Sequence, residues 1–572
     1  MSLVMKDRGW QGLPEFSQEM YKERYFTEGE EYDGWVKRIA GAYADDEGHQ
    51  TRIESYVRNY QFHPSTPISS NAGLPTRGLP ISCYTNEVTD SKSGIFGTWE
   101  ENNWLGAGGG GIGTNWSNVR GIGARVGATG KSSGIIPFIK VSDSTTLAVS
   151  QGGLRRASQA VYLDLSHPEI LEFLDIRKPT GDVNRKSLNI HHGVTISDEF
   201  MMCVTTGKDY NLVDPNTKKI VGSVNAFELW KKILVTRMET GEPYLLFTDN
   251  VNSLLPDEYY ENNMFVKTSN LCSEIMLHTE EGYSGVCCLT SMNLEYWDEY
   301  KDNIQFFEDI HRYTDNVLQS YIELTEGEEG HSATRRAAMN ERSIGIGTMG
   351  FHQYLQSKGL PYGCLSSDYI NKSIFTTIHD MFNETNVTLG NEKGTCPIST
   401  DHRNTHVTAV APTASISTLC NLSSQGIDPR VANAYTAKTN IGSYQIRNKF
   451  LQQKLETDYD IKDMEAVWKS IVQHGGSVQH FDWMEDEDKE VYLTAYEIDQ
   501  TWTINYSAVR APWIDQGIST NLFLAADVDV AVLHNLHYQA WKKGVKSLYY
   551  LRSTALNRAS VKSQERECLS CQ

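Results

Sequence analysis

The chain has 572 residues, 39% of them hydrophobic and 10% aromatic, which is enough apolar material for a large core and argues against global disorder. Its formal charge of −20 excludes a nucleic-acid polymer as the natural partner, because counterion release needs a basic surface. No apolar run of about 18 residues marks a membrane span and no apolar stretch near the start marks a secretory leader, so a cytoplasmic location is expected, that of the host cell if the chain is viral.

Residues 1–65 read as a polar helical region in which Trp35, Ile39 and Tyr43 recur at four-residue spacing. Glycine dominates from about 66 to 160. The run Gly106-Ala107-Gly108-Gly109-Gly110-Gly111-Ile112-Gly113 cannot be a stable helix interior and reads as tight turns or close backbone approach. Beyond it, 135–139 and 161–165 read as strand-like segments among helical patterns, and Ser166 is a helix start for 168–174. Such alternation predicts an α/β domain with mostly parallel strands. Residues 305–325 and 365–390 read as helices, and 440–505 as a charged helical insertion at the periphery of a main domain spanning 66–553. The segment 554–572 is polar and aperiodic, and a flexible tail is expected.

Ten cysteines in a long chain without a leader do not suggest a structural disulfide framework. Residues 270–274 read Asn-Leu-Cys-Ser-Glu, a thiol flanked by an amide and a carboxylate. The carboxylate can move a proton, the amide can fix a hydroxyl, and the thiol can act as a nucleophile or give up a hydrogen atom. Alone, the pattern also fits a buried cysteine among polar neighbours. The chain ends Glu567-Cys568-Leu569-Ser570-Cys571-Gln572; one C-x-x-C pair is half of the usual zinc set, and reads better as a thiol–disulfide shuttle. Residues 412–418, Pro-Thr-Ala-Ser-Ile-Ser-Thr, can open a helix and offer backbone N–H groups to an anion. Tyr549 and Tyr550 are adjacent in a strand-like stretch, where composition alone makes them core aromatics.

Together these motifs resemble the large subunits of ribonucleotide reductase, over roughly residues 60–572. The resemblance implies a ten-stranded α/β barrel of two five-stranded parallel halves, with 270–274 on a finger loop inside. It implies that Cys272 becomes a thiyl radical that abstracts the substrate 3′-hydrogen, that Glu274 takes the 3′-hydroxyl proton, and that Asn270 binds the ribose hydroxyls. Loss of the 2′-hydroxyl needs two electrons, which a closing dithiol supplies. The first thiol matches Cys83 in Pro80-Ile81-Ser82-Cys83, with Ser82 as a substrate contact. The second lies in Val286-Cys287-Cys288-Leu289-Thr290-Ser291-Met292-Asn293-Leu294, where counting back from Asn293 selects Cys287. Cys288 departs from the family pattern and remains the alternative; strand neighbours point to opposite faces, so only one can face Cys83. Cys568 and Cys571 would re-reduce the pair and be recharged by thioredoxin or glutaredoxin. Thr413, Ala414, Ser415, Ile416 and Ser417 would hold the substrate diphosphate, ahead of Gly426-Ile427-Asp428-Pro429.

The segment Gly544-Val545-Lys546-Ser547-Leu548-Tyr549-Tyr550 resembles the class I form, in which the tyrosines carry a radical from a separate, metal-containing small subunit and the large chain binds no metal. Against this, Gln151-Gly152-Gly153-Leu154-Arg155-Arg156-Ala157-Ser158 and the run at 106–113 look more like the adenosylcobalamin-dependent class, the alternative reading. A glycyl-radical enzyme sharing the barrel fits neither the tyrosine pair nor the tail dithiol. The resemblance further implies a homodimer and a site where a deoxynucleotide or ATP, with Mg2+, sets substrate choice. Asp90 and Ser91 would contact the effector's ribose and base, and Arg125, with Arg120 as competitor, its phosphates. Gln151, Gly152, Gly153, Arg155 and Arg156 would couple that site to the substrate. Cys83 comes too early for the N-terminal ATP-binding domain of many relatives, so no overall shut-off by dATP is expected.

Overall fold

The computed structural model describes residues 7–75, 78–150, 157–438 and 442–554; Gln151, Gly152, Gly153, Arg155, Arg156, Cys568 and Cys571 lie outside the described residues. The N-terminal region folds into three helices of ten residues or more, α1 (Glu15–Arg24), α2 (Tyr32–Gly41) and α3 (Glu47–Arg58). Helix α2 buries Trp35, Val36 and Ile39 along one face, and Asp46 caps α3 by accepting from the His49 N–H. These helices share one apolar core with residues as distant as Ile514. Strand β1 (Phe62–Pro64) pairs antiparallel with 290–292, so the first 65 residues are stitched into the main body.

Five strands run parallel in spatial order: β2 (Cys83–Glu87), β3 (Gly111–Asn115), β4 (Ser158–Asp164), β5 (His191–Ile196) and β6 (Tyr244–Phe247). They are buried along nearly their whole length, as parallel strands are when both faces are covered. Crossovers carry α4 (Lys92–Ala107), α5 (Ile136–Val149) and α6 (Ala226–Thr240). The second half begins with β7 (Gly285–Cys287), continues past Cys288 as β8 (Leu289–Asn293), and passes to the parallel β9 (Gly345–Met349). Single parallel bridges, Ile346 to Thr408 and Val410 to Ile518, carry the sheet through two further segments. The Tyr549 N–H bonds to the Thr520 carbonyl beside β10 (Ser547–Leu548). Both seams are antiparallel, β7 against β2 and β10 against β6. With β7 and β8 as one position, each half supplies five and the ring has ten, as the resemblance implies.

Three local readings need correction. Residues 135–139 open helix α5, with a proline in its first turn; proline lacks only an N–H that the first turn does not use, so the apolar run is a buried helix face. The helix expected over 168–174 is one turn, Ile170–Phe173, and the Ser166 hydroxyl bonds Asp164 instead of capping it. The insertion is smaller than 440–505. A hairpin (Ala434–Lys438 and Ser443–Arg447) and the helices Lys449–Asp458, Met464–Gln473 and Asp486–Val491 enclose a separate core around Leu451, Trp468 and Ile471. The next helix, Gln500–Arg510, buries Ile504 and Tyr506 in the two large cores of the main body. The long helices Ile304–Leu324 and Leu365–Lys393 match the periodicity. Among the described residues no helix is long and apolar enough to cross a membrane.

Candidate active site

The chain between 268 and 279 is buried throughout and runs inside the ring. Glycine makes the space. A Cβ on Gly113 of β3 would stand 1.6 Å from the Ser269 carbonyl oxygen, and one on Gly111 3.3 Å from the Leu271 Cβ. Half of the glycine run thus serves close approach, and the other half ends α4. At the tip Ser273 takes a left-handed φ of 66°. That turn is held from outside: the Tyr162 hydroxyl donates to the Asn270 carbonyl (2.9 Å), and the Ser547 hydroxyl donates to the Ser273 carbonyl (2.9 Å).

This loop geometry arranges the three residues of the motif differently. The Asn270 Oδ1 accepts from the N–H groups of Glu274 (3.1 Å) and Ile275 (3.2 Å), and its NH2 is buried with no partner among the described residues. A buried amide donor in that state is suited to an oxygen of a bound ligand. Glu274 is fully buried; its carboxylate accepts from the Ser519 hydroxyl (3.2 Å) and from the Cys83 thiol (3.8 Å). Burial pushes its pKa up to about 7, against the pull of those hydrogen bonds. Cys272 is buried in a cluster with Tyr162, Tyr244 and Tyr549, and its carbonyl accepts from Ser519 (2.6 Å).

Cys83 and Cys287 are direct partners across the β2–β7 seam and share an apolar cluster with Ile275 and Leu277 of the loop. Opposed residues on antiparallel strands project to the same face, so the two side chains share one side of the seam. Cys288 points to the other face: its thiol donates to the Thr314 carbonyl (3.5 Å), in the outer core. The strand therefore separates the two adjacent cysteines, and Cys287 is the one in the lumen. Burial, then the neighbouring thiols Cys288 and Cys83, hold the Cys287 thiol well above its ordinary pKa. Ser82 is fully buried with its hydroxyl 3.5 Å from the Cys83 sulfur.

Tyr549 and Tyr550 contact each other with ring centroids 4.3 Å apart, and both meet Tyr244, at 4.8 and 5.1 Å. Tyr549 is buried beside Cys272, while Tyr550 is the more exposed of the two. The Tyr550 hydroxyl lies 3.4 Å from His191 Nδ1, and His191 is held by Glu242. The Asn521 Oδ1 accepts the Tyr550 N–H (3.2 Å), and its NH2 donates to Asp428 (2.6 Å), whose carboxyl burial pushes up to about 7.

In the 412–418 segment Thr413 takes φ 53° and its hydroxyl accepts the Gly426 N–H (2.6 Å). Only one helical turn follows, Ile416–Leu419, and the N–H groups of Ala414, Ser415 and Ile416 donate to no carbonyl among the described residues. Ser417 is buried and its N–H returns to the Thr413 carbonyl (3.0 Å). At the expected effector site Arg120 forms an ion pair with Asp90 (2.8 Å) and also donates to the Arg125 carbonyl (2.7 Å). Arg125 itself lies in an exposed hairpin, its guanidinium bound to the carbonyls of Gly127 and Ala128. Ser91 caps α4 by accepting the Gly94 N–H (2.9 Å). Glu258, Asp401 and His402 form a cluster of potential metal ligands, occupied by the His402–Glu258 pair at 2.8 Å.

Sequence reasoning missed Ser519, Gln516, Tyr244, Tyr162 and the His191–Glu242 pair. They reach the site from segments remote from the 270–274 motif in sequence, and no local pattern marks them.

Comparison with known proteins agrees with this architecture. The family described as "Ribonucleotide reductase, barrel domain" matches residues 81–402 and 398–551. The chain is 38% identical to a putative ribonucleoside-diphosphate reductase large subunit of Frog virus 3, covering 96% of this chain and 95% of that protein. It is also 38% identical to a ribonucleoside-diphosphate reductase large subunit of Invertebrate iridescent virus 3, over 89% and 88%. Among solved structures, the class Id ribonucleotide reductase alpha subunit of Actinobacillus ureae superposes with a TM-score of 0.85 at 32% identity, covering 99% of both chains.

Proposed function

Because the chain belongs to the ribonucleotide reductase family as a large subunit, we propose that it reduces ribonucleoside diphosphates to 2′-deoxyribonucleotides at the finger loop. The relatives' names favour the class I reading over the adenosylcobalamin-dependent one, so the radical comes from a separate small subunit. It enters through Tyr550 and Tyr549 to Cys272. The Cys272 radical takes the 3′-hydrogen, and the Glu274 carboxylate accepts the 3′-hydroxyl proton. The unpartnered NH2 of Asn270 holds a ribose oxygen. Cys83 and Cys287 then close to a disulfide as the 2′-hydroxyl leaves as water, and Cys272 returns its hydrogen to C3′. Ser82 contacts the sugar, and Thr413, Ala414, Ser415, Ile416 and Ser417 take the diphosphate. Cys568 and Cys571 reopen the disulfide, recharged by thioredoxin or glutaredoxin. In a homodimer, dNTP or ATP with Mg2+ binds near Asp90, Ser91, Arg120 and Arg125, and Gln151, Gly152, Gly153, Arg155 and Arg156 relay its identity.

The observation that carries this reading is the meeting of loop and dithiol. Glu274 accepts from Cys83, whose strand partner is Cys287, and all three are buried. A buried site of this kind protects a thiyl radical from side reactions. The test is deoxynucleotide formation from a nucleoside diphosphate by the purified chain with a class I small subunit, or with adenosylcobalamin and no partner. Product is expected only with the subunit, and Cys272→Ser should abolish it while nucleotide binding persists. Product with the cobalamin alone would overturn the radical source; full turnover by Cys272→Ser would overturn the role of the loop.

A further inference from the structure

Gln516 stands on the segment next to the finger loop and is fully buried. Both ends of its backbone are tied: its N–H donates to the Thr408 carbonyl (3.1 Å), and its carbonyl accepts from the Lys546 ammonium (2.7 Å). Its side-chain amide makes three contacts. The Oε1 accepts the Met276 N–H (3.1 Å), and the Nε2 donates to the Ile344 carbonyl (3.0 Å) and to the Cys287 sulfur (3.6 Å). The first two partners have fixed polarity, one a backbone donor and the other a backbone acceptor. They settle which end of the amide carries hydrogen, an assignment that is otherwise ambiguous. The Cys287 sulfur therefore faces an N–H. On the other side of the pair, Cys83 faces the Glu274 carboxyl. The two thiols are thus set in unlike surroundings: Cys83 donates to a carboxyl, whereas Cys287, which donates to the Cys288 carbonyl (3.6 Å), also receives the Gln516 N–H.

We propose that Gln516 is a positioning residue for the reducing step: its second N–H fixes the Cys287 sulfur opposite Cys83 and stabilises the negative charge that sulfur gathers as the disulfide forms. The inference rests on the reading of Cys83 and Cys287 as the reducing pair. In that step two S–H bonds and the C2′–O bond break, and the S–S and C2′–H bonds form. Two electrons pass from the sulfurs to the ribose. One thiol hydrogen completes water with the departing hydroxyl, and the other ends on C2′. A buried thiol surrounded by Cys83, Cys288 and Glu274 is a poor place for negative charge, and Gln516 is the neighbour that opposes this. A hydrogen bond to a charged group is stronger than one to a neutral group, so the N–H acts mainly while charge develops.

The test uses the pre-reduced chain with its small subunit and a nucleoside diphosphate, without added reductant, in a Cys568→Ser, Cys571→Ser background so that the tail cannot reopen the disulfide. Binding of the nucleoside diphosphate and formation of the Cys83–Cys287 disulfide within one turnover are followed separately. Gln516→Glu keeps the shape and the Met276 contact but turns an oxygen toward Cys287; Gln516→Met removes all polarity; Gln516→His restores an N–H. Disulfide formation is expected to slow by about tenfold or more in Gln516→Glu, less in Gln516→Met, and to recover in Gln516→His. Affinity for the nucleoside diphosphate should stay within about twofold of wild type. A purely structural amide predicts the reverse order, with Gln516→Met the worst because it strands two backbone groups. That order, or unchanged disulfide rates, overturns the proposal. If Gln516→Met does not fold, Gln516→Glu against Gln516→His gives the same comparison. If wild type makes product with no Cys83–Cys287 disulfide, the reading of the pair fails and takes this inference with it.

Discussion

A carboxyl buried beside a thiol and a hydroxyl is easiest to keep when neutral, and Glu274 is such a group. Its pKa is raised to about 7 in the fold, against about 4.3 in an unfolded chain. The neutral form is favoured by folding, so its stability contribution is full below about pH 4 and is lost as pH rises through about 7. Catalysis needs the opposite form, because only the carboxylate can accept a proton. Turnover should therefore fall as pH drops below about 7. Glu274→Gln should lose about a hundredfold or more in turnover and yet melt higher than wild type at pH 8. A lower melting temperature for that variant at pH 8 would show that the burial cost has been misjudged. The adjacent cysteines divide as sharply. Cys288→Ala, on the outer face, is expected to keep turnover within about twofold, with Cys287→Ala unable to form the lumen disulfide; equal loss in both would contradict the strand orientation.

At the scale of elements, the finger loop depends on a strand with no side chain where the loop crosses it. Gly113→Ala would drive a methyl into the Ser269 carbonyl and within 2.8 Å of the Asn270 Cα, so the loop backbone would have to shift. Displacing reactive groups by about 1 Å costs on the order of a hundredfold in rate. Gly113→Ala should therefore lose about that much turnover while nucleotide binding is retained; near-normal turnover would mean the loop is not held by β3. This element also shows where sequence reading works. The 270–274 kit, the tyrosine pair and the glycine run each lie within a few residues, so they stand out as short segments, and the family resemblance, not composition, gave the first two their roles. Gln516, Ser519 and Tyr162 act on the same loop across more than a hundred residues of chain, and only closure of the ring brings them there. The misread 135–139 segment failed for a different reason. Five apolar residues have the same pattern in a buried strand and a buried helix, and Pro137 was the signal that it was a helix start.

For the molecule as a whole, the α/β alternation was legible, but the seams were not. Their ladders are three and two residues long and join strands remote in sequence. The lobe built from 434–492 has its own small core, apart from the two large ones. Hydrogen exchange should find it opening before the ring: amides of 449–458 and 464–473 should exchange faster than those of β4 and β5 by about tenfold or more. Equal protection would mean that lobe and barrel unfold together.

The place of Cys83 and Cys287 has a mechanical meaning as well as a chemical one. They face each other across a seam between the two halves of the ring, on strands otherwise joined by a three-residue ladder. Each oxidation would rivet that junction and close a loop of about two hundred residues, a constraint on the order of 5 kcal/mol on the unfolded chain. The enzyme would then alternate with every turnover between an open clasp and a fastened one. Spent molecules waiting for reductant would be the sturdier population, and the reduced form, ready to work, would be the one most exposed to heat.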